Sequence, residues 1–168
     1  MELAHRFGQP SVFPVLKLMG ATGPTIQVIE DGPDSPNEAD SWHTDVTWTQ
    51  DPPKIALLRA GVVPESGGDT LWGSMTTAYE ALSPVMQEML AGLEVLHDNQ
   101  FFIEAVGRKM GDSDETRKLL DGLRDGYPPV VHPLIRTHPE TRRRAILWGG
   151  DFMRRIVGMH PDESTALL

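Results

Sequence analysis

The feature that most constrains the fold is the order in which two hydrophobic periodicities follow one another along the 168 residues. Segments rich in β-branched and aromatic residues, joined by turns that contain Pro and Gly, come first and last, and helical spacing occupies the middle. A doubly wound α/β sheet would instead need strands and helices to alternate along the whole chain. The order therefore predicts a single α+β, mainly β domain over residues 1–168, in which a helical insertion of about 74–124 separates two groups of strands.

Short extended segments are predicted on both sides of this insertion. The segment 54–63 is mostly apolar and is therefore expected to be buried on both faces. Residues 130–137 and 145–148 flank a turn at 139–141 and are predicted to form a hairpin. The other predicted strands or short extended elements are residues 25–29, 42–48, 69–72 and 152–157.

Helical segments are predicted from caps and apolar spacing. A Ser or Thr between residues 74 and 77 caps a first helix through 78–82, and Pro84 takes the first position of a second helix. Residues 114–123 form another amphipathic helix, and a last one opens at Asp162. The apolar faces consist of Val85, Met89, Leu90 and Leu93 in the second helix and of Leu119, Leu120 and Leu123 in the third.

Charge and cysteine content exclude several classes of function. The formal net charge of −9 opposes nucleic-acid binding, and the one basic run, Arg142–Arg144, is interpreted as the solvated tip of a turn. No cysteine is present, which excludes disulfides, thiolate metal sites and a Cys nucleophile. The sequence has no apolar run of roughly 20 residues and no secretory signal, so we expect a cytoplasmic protein without a membrane partner.

The triplet His43-Thr44-Asp45 is the most informative chemical pattern. On a strand, residues two apart project to the same face, so the imidazole and the carboxylate are expected to point at one atom. Together they are two-thirds of the 2-His-1-carboxylate facial triad of non-haem Fe(II) oxygenases. A His-x-Asp triplet is also common by chance, and the competing interpretation is a surface His and Asp on an edge strand.

The sequence around the triplet contains further motifs in a fixed order. The segment 42–48 reads WHTDVTW, and Pro52-Pro53 follows it. The next motifs are GGDTLW at 67–72, AYEALS at 78–83 and HPLIRTHPET at 132–141. In order and approximate spacing these motifs resemble the taurine dioxygenase (TauD/TfdA) family, from about residue 7 to the end of the chain.

The resemblance implies a double-stranded β-helix, or jelly roll, with Fe(II) between its two sheets. It implies that His43 and Asp45 are iron ligands and that the Thr70 hydroxyl donates a hydrogen bond to a carboxylate of the co-substrate 2-oxoglutarate. The implied activity is hydroxylation by O2 of a small organic substrate, namely a sulfonate, a sulfate ester or a carboxylate, with release of succinate and CO2. Members of the family often form dimers or tetramers, so homo-oligomerisation is also expected.

The sequence departs from the family in two respects. The family's third iron ligand, a His, and its 2-oxoglutarate-binding Arg belong to a segment that would follow Leu168, so the jelly roll is expected to be incomplete at the C-terminus. Taurine-specific members place a His near Phe13 and an Asn shortly before the triplet, where this chain has Glu38–Ser41. The substrate is therefore expected to be another small anionic or apolar compound.

These departures leave two other interpretations open. The first is a catalytically inactive, truncated jelly-roll fragment that acts as a binding or oligomerisation module. The second is a different cupin-like metal enzyme, against which the GGDTLW motif counts. His138 or His160 could substitute for the missing ligand. His97 and His132 are expected to be structural, and His132 is expected to be hydrogen-bonded and partly buried.

Overall fold

The computed structural model describes residues 2–30, 32 and 41–168. No helix among them is long and apolar enough to span a bilayer. The helices are α1 (Glu2–His5), α2 (Pro14–Leu18), α3 (Met75–Glu80), α4 (Pro84–Leu90), α5 (Gln100–Met110), α6 (Asp114–Gly126) and α7 (Pro161–Leu167), with one 3-10 turn at Gly150–Phe152. The strands are β1 (Glu94–His97), β2 (Val130–Pro133), β3 (Ile135–Thr137), β4 (Arg144–Ile146) and β5 (Met153–Ile156).

These strands form two small antiparallel sheets. The first has the order β2-β1-β5, and in it Val95 of the central strand pairs with His132 on one side and Ile156 on the other. The second is the hairpin β3–β4. The predicted hairpin is therefore confirmed, although Leu134 separates β2 from β3 and the two strands join different sheets. Strand β1 lies inside the range predicted as a helical insertion and is the middle strand of the larger sheet.

The predicted helices are confirmed, and serine caps set the starts of α3 and α4. The hydroxyls of Ser74 and Ser83 each accept a hydrogen bond from a backbone N–H three residues later, which satisfies a donor that the helix leaves free. In α4 the predicted apolar face is only partly correct, because Leu90 is buried but Val85 is 75% exposed. Helix α5 was not predicted, since adjacent aromatic residues and the internal Gly107 obscure its period.

The predicted strands before residue 74 are wrong for the described residues. Segments 25–29, 54–63 and 69–72 form no regular strand, and in segment 54–63, which was expected to be buried, Val62 is 96% exposed. A β-branched sequence becomes a strand only where a neighbouring strand pairs with it, and no described strand does so. In the described residues the helices are up to 13 residues long, whereas the strands have only three or four residues. Helix therefore predominates over strand there, and the "mainly β" part of the prediction is wrong for the described residues.

The basic run at Arg142–Arg144 is not simply solvated. The Arg143 guanidinium donates two hydrogen bonds to the Glu80 carboxylate at 2.9 and 2.6 Å and so joins the β3–β4 hairpin to α3. This pairing lowers the pKa of Glu80. Both side chains are about half exposed, so the pair fixes orientation more than it adds stability.

The buried apolar side chains form two clusters. One contains Leu90, Val95, Leu134 and Ile156 and covers the three-stranded sheet. The other contains Val46, Trp48, Ile103 and Leu123, with Phe13, Phe102, Tyr127 and Phe152 packed against it. The Trp48 ring lies 5.9 Å from the Phe102 ring and 5.1 Å from the Tyr127 ring. The residues that directly follow the His43–Asp45 triplet are therefore anchored to α5 and to the end of α6.

Replacing Trp48 is expected to destabilise the protein far more than replacing Trp72. Trp48 is 1% exposed, so Trp48→Ala should lower the free energy of unfolding by about 3–5 kcal/mol. Trp72 is 78% exposed, so Trp72→Ala should change the free energy of unfolding by less than about 0.5 kcal/mol. Denaturant-induced unfolding measures both values, and equal losses would contradict the described core.

Candidate metal centre

The predicted ligands His43 and Asp45 are brought together, but not by a strand. Residues 42–44 have no regular secondary structure and residues 45–48 form a turn, so the strand predicted at 42–48 is wrong. The His43 Nε2 atom nevertheless lies 3.2 Å from Asp45 Oδ1. The next residue, Val46, has φ 58, a conformation that is rare for a β-branched side chain. It costs about 1–3 kcal/mol and persists only where surrounding contacts impose it.

The orientation of the His43 ring is set by its second nitrogen. His43 Nδ1 lies 2.7 Å from the backbone oxygen of Ser41, and because a carbonyl can only accept, Nδ1 carries the proton and donates it. Nε2 then faces the Asp45 carboxylate. Metal-binding histidines commonly donate their other ring N–H to a backbone carbonyl, which fixes both the tautomer and the ring orientation.

The two donor atoms fit a divalent first-row metal ion. Ligand nitrogen and oxygen atoms lie about 2.1 Å from such ions, so two donors at right angles are about 3.0 Å apart. The observed separation of 3.2 Å is close to this value. A cation between the Nε2 lone pair and the carboxylate oxygen would attract both of them.

The described residues supply two donors and not three. No group of three or more His, Cys, Asp or Glu side chains that could hold a metal ion occurs among them. His138 Nδ1 accepts hydrogen bonds from the backbone N–H groups of Glu140 and Thr141, and His160 caps α7, so neither joins the His43–Asp45 pair. Both substitutes considered from the sequence therefore serve local backbone groups.

The third predicted site residue, Thr70, makes no hydrogen bond to His43 or Asp45. It is exposed, in a stretch without regular secondary structure, and its side chain makes no hydrogen bond with the described residues. Of the residues that bear on substrate choice, Phe13 packs edge-on against Phe102 at 5.7 Å. Residues 38–40 lie outside the described residues.

The segment Trp148–Asp151 holds the loop that carries the two donors. The Thr44 backbone N–H donates to the Trp148 carbonyl at 2.9 Å, and the Trp148 indole N–H donates to the Trp42 carbonyl at 2.8 Å. The Ser41 hydroxyl donates to Asp151 Oδ2 at 2.8 Å. Sequence reasoning missed this segment because residues more than 100 positions apart meet here without a recognisable motif.

Gly150 brings this segment unusually close to His43. Its φ is +57, and a Cβ atom there would lie 2.6 Å from the Trp42 carbonyl oxygen and 2.9 Å from His43 Cβ. Only a residue without a side chain fits both the conformation and the space. The Gly149-Gly150 pair in the sequence was the one local signal of such a close approach.

Two buried histidines pack beneath the turn at residues 45–48. His97 and His132 are 1% and 6% exposed. His132 is hydrogen-bonded, as predicted, to the carbonyls of Thr47 and Thr49, and His97 contacts the Thr47 hydroxyl. Desolvation by burial, reinforced by the neighbouring His132 and partly opposed by Asp98, lowers the pKa of His97 to about 4.

Comparison with known proteins gives a match over the whole chain. Residues 1–168 match the family model described as taurine catabolism dioxygenase TauD, TfdA family. The chain is 32% identical over 167 residues to an alkylsulfatase of Acinetobacter baylyi, covering 99% of this chain and 51% of that protein. It is 33% identical over 159 residues to an alpha-ketoglutarate-dependent sulfate ester dioxygenase of Pseudomonas putida, covering 92% of this chain and 50% of that protein.

A solved structure supports the same relationship. The crystal structure of AAD-2 in complex with Mn(II) and N-oxalylglycine is similar with a TM-score of 0.60 and 29% identity, over 76% of this chain and 47% of that chain. The chain spans about half the length of the curated relatives it matches.

Gly150→Ala is expected to loosen the donor-bearing loop. An alanine at φ +57 costs about 1–2 kcal/mol in any setting, and here its Cβ would also push against Trp42 and His43. Hydrogen exchange of the Thr44 amide should become at least about tenfold faster, because this amide bonds to Trp148 beside the new methyl group.

Gly158→Ala is the matched control. Gly158 has φ +82, and a Cβ atom there would meet nothing within 4 Å, so this variant tests backbone strain without a clash. If Gly158→Ala accelerates exchange at Thr44 as much as Gly150→Ala does, the close approach of Gly150 does not hold the loop.

Stability is expected to fall as the pH drops from about 6.5 towards 4. The unfolded chain takes up a proton on His97 in this window while the folded state does not, so protonation favours unfolding. The loss should be on the order of 2 kcal/mol and should be complete near the folded-state pKa of about 4. Chemical unfolding at several pH values should show that His97→Gln flattens this dependence and that the exposed His5→Gln does not. A wild-type stability that is flat over this range would contradict the burial of a neutral His97.

Proposed function

Because this chain belongs to the taurine catabolism dioxygenase TauD, TfdA family, we propose that His43 and Asp45 are two of the protein ligands of Fe(II) in a 2-oxoglutarate-dependent dioxygenase. Dioxygenases of this family use Fe(II) and 2-oxoglutarate. The observation that carries the proposal is the 3.2 Å separation of His43 Nε2 and Asp45 Oδ1. It is supported by the Ser41 carbonyl, which keeps the proton on the other ring nitrogen of His43.

The proposed reaction hydroxylates a C–H bond of a small organic substrate. One oxygen atom of O2 enters the substrate as a hydroxyl group and the other enters succinate, as 2-oxoglutarate loses CO2. Fe(II), when bound, supplies the site at which the 2-oxo acid and O2 react. We place sulfate esters first among the substrates and sulfonates and carboxylates after them, because an alkylsulfatase and a sulfate ester dioxygenase are among the relatives.

Each side chain has a separate task in this proposal. His43 donates a neutral nitrogen, and its orientation is fixed before any ion arrives. Asp45 donates a negatively charged oxygen from a side chain that is 63% exposed, so an ion can reach the pair from solvent. Thr70 has an exposed hydroxyl that is free to donate to an anionic oxygen, and we propose that it contacts a carboxylate of 2-oxoglutarate.

We further propose that residues 1–168 form one domain and belong to a jelly roll. The likeness to AAD-2 supports this, together with the antiparallel pairing of all five described strands. Because a facial triad has three protein ligands, the proposed centre needs a further protein ligand beyond the two that the described residues bring together.

A second candidate function is a non-catalytic jelly-roll module that binds a partner or oligomerises. It is favoured by the absence of a third metal-binding side chain near the pair in the described residues. It is also favoured by the exposed apolar residues of segment 54–63, such as Leu58 and Val62. Release of succinate above a metal-free control would exclude it.

Anaerobic titration with Fe(II) and 2-oxoglutarate tests the leading proposal. The protein is expected to develop a visible metal-to-ligand charge-transfer band, which His43→Ala and Asp45→Ala should abolish and the exposed His5→Ala should leave intact. Thr70→Val should keep the band but need roughly tenfold more 2-oxoglutarate for half-saturation, since a hydrogen bond to a charged group is lost. A band and succinate yield unchanged in His43→Ala would refute the ligand assignment.

A further inference from the structure

The sheet beneath the donor-bearing loop presents two histidines side by side. His97 is on β1 and His132 is on the neighbouring strand β2, and the register places Val95 opposite His132 and His97 opposite Val130. Because side chains alternate along a strand, His97 and His132 project from the same face of the sheet as diagonal neighbours. Their rings meet edge to face with centroids 5.2 Å apart.

Both rings are hydrogen-bonded to the segment 47–49, His132 to its backbone and His97 to a side chain. His132 Nε2 lies 2.9 Å from the Thr47 carbonyl oxygen and 3.0 Å from that of Thr49, and since carbonyls only accept, its N–H is shared between them. His97 Nδ1 lies 3.0 Å from the Thr47 hydroxyl oxygen. Thr47 is 0% exposed, so it is held at both its carbonyl and its side chain without competition from water.

Thr47 is two residues from a proposed metal ligand. Between Asp45 and Thr47 the chain passes through Val46 at φ 58, a conformation that the surrounding contacts must impose. Gly149 packs directly against the contact between Thr47 and His97. A Cβ atom at Gly149 would lie 2.5 Å from Thr47 Oγ1 and 2.8 Å from His97 Nδ1. The neighbouring Gly150 lies against His43. One packed unit therefore lies against His43 and holds the backbone two residues after Asp45.

A purely apolar role does not account for these two residues. Burying two imidazoles costs free energy unless their polar atoms are paired, and apolar side chains could fill the same space without that cost. In the described residues no buried side-chain nitrogen or oxygen lacks a partner. His132 Nε2 instead holds the Thr47 carbonyl, and His97 Nδ1 holds the Thr47 hydroxyl.

We propose that His97 and His132 are positioning residues that set the distance between His43 Nε2 and Asp45 Oδ1 by holding Thr47. The proposal rests on the proposed function for its consequence, metal affinity, but its geometric part applies to the metal-free protein. Neither histidine is a ligand or a catalytic residue in this account, because both are buried and both hydrogen-bond to the loop.

The test compares His132→Leu, which removes the donor, with His132→Gln, which keeps an N–H. NMR of the metal-free chain should show displaced His43 ring and Asp45 amide signals in His132→Leu and signals close to the wild type in His132→Gln. Affinity for Mn(II) should fall on the order of tenfold in His132→Leu and recover in His132→Gln. Leu90→Ala, in the other apolar cluster, is the control for general destabilisation and should leave the His43 signals in place.

Gly149→Ala provides a second variant that deletes no donor. Its methyl group would push Thr47 and His97 apart, so it should displace the same His43 and Asp45 signals, whereas Gly92→Ala has nothing within 4 Å and should not. If His132→Leu does not fold, Gly149→Ala tests the positioning role in its place.

Wild-type His43 and Asp45 signals in a folded His132→Leu or Gly149→Ala protein would overturn the positioning role. Failure of the wild type to bind Mn(II) would count against the proposed function alone, because the metal-free NMR comparison would still show whether the two histidines set the geometry of the pair.

Discussion

The candidate site depends on hydrogen bonds that residues distant in sequence make to the loop at residues 41–49. The loop has no regular secondary structure before residue 45 and cannot fix two side chains by its own periodicity. Trp148 and Asp151 bond to it on one side, and the two buried histidines bond to it on the other. Because these contacts join residues far apart in sequence, the donor pair exists only when the chain is folded.

The same loop is part of the hydrophobic core. Val46 and Trp48 are buried with Ile103 and Leu123, so a loss of packing at α5 or α6 would also release the turn. The free energy gained by this burial offsets the backbone strain at Val46. The packed residues leave the His43 and Asp45 side chains at the surface. A rigid support under exposed donor atoms is the arrangement that a metal site requires.

The sequence predicted features that depend on residues near one another in the chain, and it failed for features that depend on distant residues. Serine caps and the β3–β4 hairpin were predicted correctly because they are set by residues within a few positions of one another. The strands predicted at 25–29, 54–63 and 69–72 were wrong because an extended segment depends on a partner that its own residues do not specify. The pairing of His43 with Asp45 was predicted for a wrong reason, since a loop and not a strand brings them together. The supporting roles of Gly149 and Gly150 were missed, because two adjacent glycines signal a close approach without identifying the distant segment that approaches.

The central claim is that His43 Nε2 and Asp45 Oδ1 bind the same metal ion. Anomalous diffraction from crystals of the protein grown with Mn(II) locates the ion directly. The account predicts a peak about 2.1 Å from both atoms, with the His43 Nδ1–H still donating to the Ser41 carbonyl. A peak that lies within bonding distance of only one of the two atoms, or at another site, would contradict it.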